Sequence, residues 1–119
     1  MKDSVLKAKS KKFAVRIVNL YKYLSDEKKE YIMSKQILRC GTSIGANVHE
    51  ACFGQSKKDF TSKMQIALKE TSETEYWLGL LTETGYIGEK ESKSIMNDCT
   101  ELAKILHSTV KTAKDNDCQ

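Results

Sequence analysis

Residues 39–51 read Arg39-Cys40-Gly41-Thr42-Ser43-Ile44-Gly45-Ala46-Asn47-Val48-His49-Glu50-Ala51. Gly41 and Gly45 stand four apart, so in a helix both leave the same face bare. A glycine inside a helix costs roughly 1 kcal/mol against alanine, and two on one face need a compensating gain. In water that gain is most often the close approach of another helix; the alternative is room for a ligand or a nucleic-acid backbone. Tyr31, Ser34, Leu38, Ile44, Val48 and Cys52 share the face with the two glycines at helical spacing. The spacing predicts a long amphipathic helix from about Glu27 to Phe53, closed by Gly54-Gln55 as a glycine closes a helix C-terminus.

The same periodicity extends outward in both directions. From Asp3 to Leu24, Leu6, Phe13, Ile17, Leu20 and Leu24 recur at three- and four-residue steps, and Ala14, Val18 and Tyr21 widen the stripe. Ser25-Asp26 ends this first helix and offers caps for the second. Ser56 is a cap for a third helix, with Asp59 as its near-reciprocal partner. Phe60, Met64, Ala67, Leu68, Thr71, Leu78 and Leu81 form its inner stripe, and Gly85-Tyr86-Ile87-Gly88 is the next break. The fourth helix runs to about Lys114 on Ile95, Cys99, Leu102, Leu106 and Val110, with Ile105 beside them. Glu89 and Glu91 suit its positive first turn, and Lys111 and Lys114 its negative last turn. The tail from Asp115 to Gln119 reads as frayed.

Helices of roughly 22–28 residues span about 33–42 Å. Connections of roughly two to five residues force successive helices to fold back on one another, so the expected fold is an all-α, antiparallel, up-down-up-down four-helix bundle. The 119 residues suit one domain covering 1–119, and the absence of proline lets every helix run uninterrupted.

A net charge of +4 is too small by itself to announce a nucleic-acid binder. Its distribution says more. Residues 1–24 carry seven positive side chains against Asp3 alone, while residues 70–91 carry six glutamates against Lys90. Such polarity suits an anionic ligand at one face or head-to-tail self-association. Cys40, Cys52, Cys99 and Cys118 form no Cys-x-x-Cys pair, and the lysine-rich start has no apolar signal segment. They read as small buried hydrophobes in a cytoplasmic protein. The longest apolar stretch, about Tyr76–Leu81, is far too short to cross a membrane.

The segment Gly41–Ala51 resembles the hallmark of the four-helix bundle proteins encoded by intervening sequences within bacterial 23S ribosomal RNA genes, the family called S23. Lys58-Asp59-Phe60, the runs Lys63–Glu70 and Glu73–Leu78, and Phe13–Val18 extend the resemblance over essentially the whole chain. His49 departs from it, standing where the family more often shows an acidic or other polar residue. The resemblance implies ring-shaped homo-oligomers, with pentamers expected, and no enzymatic activity. A related group, the accessory proteins of diversity-generating retroelements, shares the bundle and is associated with nucleic acid and a reverse transcriptase. The ribosomal label reflects where the genes lie.

Read by chemistry, no catalytic residue stands out. His49, Glu50 and Cys52 could begin a metal site, but zinc needs three or four converging ligands, and His107 is the only other histidine. Glu70, Glu73 and Glu75 lack the Glu-x-x-His partners of di-iron bundles. No metal and no cofactor is expected. Arg39 and Glu73 are the expected structural polar pair. There is no nucleophile elbow and no phosphate loop.

Nucleic-acid binding is the best functional candidate. Lys7, Lys9, Lys11, Lys12 and Arg16 from helix one would join Lys57 and Lys58 from the start of helix three. The chain has 18 lysines and only 2 arginines, so contact would be backbone-dominated, salt-sensitive and weakly sequence-specific. Tyr21, Tyr23 and Trp77 could stack on bases, though interfaces are their commoner use. The expected partners are a second copy of the chain and RNA or DNA. The alternative is a protein–protein scaffold that recruits another protein, such as a polymerase, without nucleic acid.

Overall fold

The structure, a computed structural model, describes residues 2–54 and 56–117. Four helices account for most of them: α1 (Lys2–Asp26), α2 (Met33–Cys52), α3 (Lys57–Glu83) and α4 (Glu89–Asp117). They lie in a body 50 Å long and 21 Å across in both other directions. Gln55, Cys118 and Gln119 lie outside the described residues, and with them the second half of the expected Gly54-Gln55 closure and one of the four cysteines.

The contacts between helices run in opposite directions along each pair. Ser10 of α1 meets Gly45 of α2, whereas Ile17 meets Gly41. Between α2 and α3, Arg39 pairs with Glu73 and Glu50 with Lys63. Between α3 and α4, the Cys99 thiol reaches the Thr71 carbonyl and Thr82 bonds Ser92. Between α1 and α4, Lys9 pairs with Glu101 and Arg16 with Asp98. Every neighbouring pair is therefore antiparallel. The backbones of the diagonal pairs α1–α3 and α2–α4 stay more than 8 Å apart, which makes this an up-down-up-down bundle of square section.

The core is the stripes turned inward. Leu6, Phe13, Ile17, Leu20 and Leu24 of α1 are buried, as are Met64, Ala67, Leu78 and Leu81 of α3 and Ile95, Cys99, Leu102, Leu106 and Val110 of α4. Phe60 and Leu68 stay half-buried at the edges of α3. Buried threonine hydroxyls bond within their own helices: Thr74 donates to the Glu70 carbonyl and Thr109 to that of Ile105. These bonds remove the cost of burying a polar group.

Helix α2 begins six residues later than the apolar spacing predicts. Lys29 adopts a left-handed backbone, φ 55°, and the Glu30 N–H closes α1 on the Leu24 carbonyl at 2.9 Å. Glu30 then starts α2 itself: its carboxylate accepts the N–H groups of Ile32 and Ser34, while its carbonyl accepts the Ser34 hydroxyl at 2.7 Å. Ser25 and Asp26 are thus not the caps of α2, and Asp26 is the last residue of α1. Tyr31, expected on the inner face, is 54% exposed, and Ile37 with Cys40 fills the core where Leu38 was expected. The other ends follow the sequence more closely. Ser56 caps α3 by accepting the Asp59 N–H at 3.1 Å. Gly85, at φ 84°, closes it with the paired Tyr86–Leu81 and Gly85–Thr82 backbone bonds of a Schellman turn. The residues Asp115–Asp117, expected to fray, continue α4.

Candidate nucleic-acid interface

Helix α1 divides its cations between two edges. Lys7, Lys11 and Ala14 follow one another at three- and four-residue steps and face α2. They line a groove of about 650 Å³ with Ala8, Thr42, Gly45, Ala46, His49 and Glu50. Its floor is small residues because α1 lies directly on α2 here. A β-carbon added to Gly45 would sit 3.1 Å from the Ser10 carbonyl oxygen, and one on Gly41 would sit 2.8 Å from both γ-carbons of Ile17. Gly41 is buried under Ile17, so it offers no room to a ligand; Gly45 borders the groove.

A second hollow of about 590 Å³ shares Lys7 and continues toward α3, where Lys57, Ser56, Cys52 and Phe60 line it with Asp3. Lys7 therefore stands between two adjoining hollows, one carrying Lys11 and the other Lys57, which together form the furrow, and exposed Lys58 stands near it at the first turn of α3. The unsatisfied N–H groups of that turn add partial positive charge. Lys7 is held by the Phe53 ring, 5.5 Å from its centroid, although Phe53 is itself 70% exposed. Of the two acids in the furrow, Glu50 is neutralised by Lys63 at 3.0 Å. Lys11, Lys12, Lys57 and Lys58 have no ion-pair partner among the described residues.

The opposite edge of α1 is already engaged. Arg16 donates to Asp98 at 2.8 Å, to Glu91 at 3.0 Å and to the Ser94 hydroxyl at 2.8 Å. Partial burial works against its charge, but the bonds to Glu91 and Asp98 outweigh it and hold the guanidinium more firmly protonated than usual. Lys9 pairs with Glu101 at 3.1 Å. The structure thus groups Lys7, Lys11, Lys57 and Lys58, leaves Lys12 exposed on the outer surface of α1, and turns Lys9 and Arg16 to the acidic side of α4. The small furrow residues Ala8, Thr42 and Ala46 carry no chemical signal of their own; only their spacing around Gly45 could have singled them out.

On the α2–α3 side, Arg39 lies against both Glu70 and Glu73, and the Trp77 indole N–H donates to Glu73 at 3.1 Å. Trp77 and Tyr21 are half-buried, and Tyr23 is exposed beside Lys28. Burial pushes all three described cysteine thiols up, Cys99 to about 12, so none is a ready thiolate. Among the described residues no group of three His, Cys, Asp or Glu side chains converges as a metal site, and no helix is long and apolar enough to cross a membrane.

A family model described as 23S rRNA-intervening sequence protein matches residues 2–108. Among solved structures, the chain is similar to a protein of unknown function from the S23 ribosomal protein family of Bacteroides thetaiotaomicron. The two are 61% identical with a TM-score of 0.92, over 93% of this chain and 99% of that one. No curated protein matches. The match over nearly all of the folded residues and the shared bundle agree: the chain belongs to the 23S rRNA-intervening sequence protein family.

Proposed function

We propose that this chain is a non-enzymatic, cytoplasmic, homo-oligomeric bundle that binds RNA or another nucleic acid weakly through the furrow bordered by Lys7, Lys11, Lys57 and Lys58. The observation that carries the reading is the convergence of Lys7 and Lys11 of α1 and Lys57 of α3 on two neighbouring hollows, with Lys11 and Lys57 in no ion pair among the described residues. Lysines act there as mobile point charges, suited to phosphate and poorly suited to reading bases. Weak contact per chain is strengthened when several copies act together. Exposed Ile32 and Tyr76 supply apolar surface for self-association, and a five-membered ring is the assembly proposed.

Filter binding of a structured RNA across a salt series tests the reading. Affinity is expected to fall log-linearly with salt, and charge reversal at Lys7, Lys11 and Lys57 is expected to weaken it and flatten its salt slope. No binding at low salt, or binding without a salt slope, contradicts it and favours a pure protein scaffold. Light scattering tests the assembly, and a monomer at micromolar concentration contradicts the ring.

A further inference from the structure

A second basic groove lies between α3 and α4. It measures about 620 Å³, with Leu68 and Val110 among its lining and Lys69, Lys111 and Lys114 around them; Asp115 is the one acid that lines it, and Gln65 and His107 complete it. All three lysines are exposed, and none forms an ion pair among the described residues. Lys111 and Lys114 sit three apart, so they share one face of α4 about 4.5 Å apart along its axis. Lys69 faces them from α3.

Its position matters as much as its charge. Because only neighbouring helices bring their backbones together, the α1–α2 face, with Lys7 and Lys11, and the α3–α4 groove lie on opposite sides of a bundle 21 Å thick. The acid-rich seam where α4 takes up Arg16 and Lys9 separates them on one side. The α2–α3 seam, with Arg39 held by Glu70 and Glu73, separates them on the other. These neutralised seams divide the two basic faces along the middle of the bundle; at the end that holds Asp3 and Lys57, a further hollow lined also by Thr112, Ala113 and Asn116 of α4 lies between them.

We infer that the α3–α4 groove is a second, independent seat for a nucleic-acid phosphate backbone, so that a single chain grips two backbone segments on opposite faces. This rests on the proposed nucleic-acid function. The occupant is a phosphate polyanion because the cations of the rim are three lysine ammoniums, point charges suited to phosphate, with no arginine fork for a carboxylate.

Acetylation footprinting of the full chain with a short RNA duplex at low salt tests it, read lysine by lysine by mass spectrometry. RNA is expected to slow acetylation of Lys69, Lys111 and Lys114 several-fold, as well as that of Lys7, Lys11 and Lys57, while Lys90 and Lys93 are unchanged. In a Lys7→Glu/Lys11→Glu/Lys57→Glu chain, protection of Lys69, Lys111 and Lys114 is expected to persist. A Lys→Gln version of the same triple guards against a fold lost to charge reversal. Protection confined to the α1–α2 furrow overturns the second seat alone. Protection at the α3–α4 groove that vanishes with the furrow triple overturns its independence. Protection of the groove by polyglutamate but not by RNA, or its occlusion before any RNA is added, assigns it to a protein and overturns the inference. No protection anywhere overturns the nucleic-acid reading with it.

Discussion

The two seams of α1 are built by opposite means. Against α2, the helix is drawn in by missing side chains: Ile17 lies on Gly41 and Ser10 on Gly45. Against α4, the charged edge is joined by side chains that reach across, Lys9 to Glu101 and Arg16 to Glu91 and Asp98. The first seam depends on shape and tolerates no added atoms. The second depends on exposed charge and is worth little for each pair. Their chemical consequences invert this order. The shape-locked seam leaves Lys11 unpaired above a floor of small residues, whereas the charge-locked seam consumes the cations it contains.

The largest effect is expected at Gly41. Gly41→Leu should cost about 3 kcal/mol or more by overpacking, read as a lowered urea midpoint. Gly41→Ala gains about 1 kcal/mol of helix propensity, but its methyl meets both γ-carbons of a stiff β-branched residue. A net loss of about 1–2 kcal/mol is expected. Gly45→Ala should cost less, since one carbonyl oxygen at 3.1 Å can give by a few tenths of an ångström. Ile17→Ala combined with Gly41→Ala should show a favourable coupling of about 1 kcal/mol in a double-mutant cycle. Strict additivity would mean that the two residues do not meet.

Next in size is the α2–α3 seam, which mixes both devices. Glu73→Ala removes the partner of Arg39 and of the Trp77 indole, and about 1 kcal/mol should be lost. Arg39→Ala should cost less, because Arg39 is half-exposed and the Trp77 bond survives it. If both variants keep full stability and assembly, the polar pair is decorative.

The smallest effect is expected at Arg16. Arg16→Ala should lose less than about 1 kcal/mol at low salt, and the loss should shrink as salt screens the pairs. RNA affinity should stay unchanged, because Arg16 is already spoken for by α4. A drop in affinity as large as that from Lys11→Ala would erase the distinction between the seams.

Much of this fold was legible in the residues. The α1, α3 and α4 stripes are periodic enough to name nearly every core residue, and two glycines four apart already announced a bare helix face. The start of α2 was not legible. Glu27-Lys28-Lys29-Glu30 contains good helix formers and no glycine or proline, so the break falls on a left-handed Lys29 that no local rule marks. The capping group, the Glu30 side chain, acts from a position where Ser, Thr, Asp or Asn is the usual sign. The candidate site was legible as composition but not as geometry. Lys7 and Lys9 look alike in the chain, and only the facing helix decides that one borders a groove and the other an acid. The spacing of Lys111 and Lys114 outside the α4 core stripe was a readable sign of the second basic face, obscured by their ordinary place in a helix's last turns.

The most direct measurement compares two charge-reversed chains in one salt-dependent RNA titration. One carries Lys7→Glu, Lys11→Glu and Lys57→Glu; the other carries Lys9→Glu, Lys12→Glu and Arg16→Glu. Circular dichroism must first show that both keep their helices. The account expects the first to lose the furrow's share of affinity and salt slope, keeping only the binding left at the α3–α4 groove, and the second to stay closer to the unaltered chain. Equal losses, or a greater loss in the second, would contradict the assignment of the furrow between α1 and α2 as the nucleic-acid face.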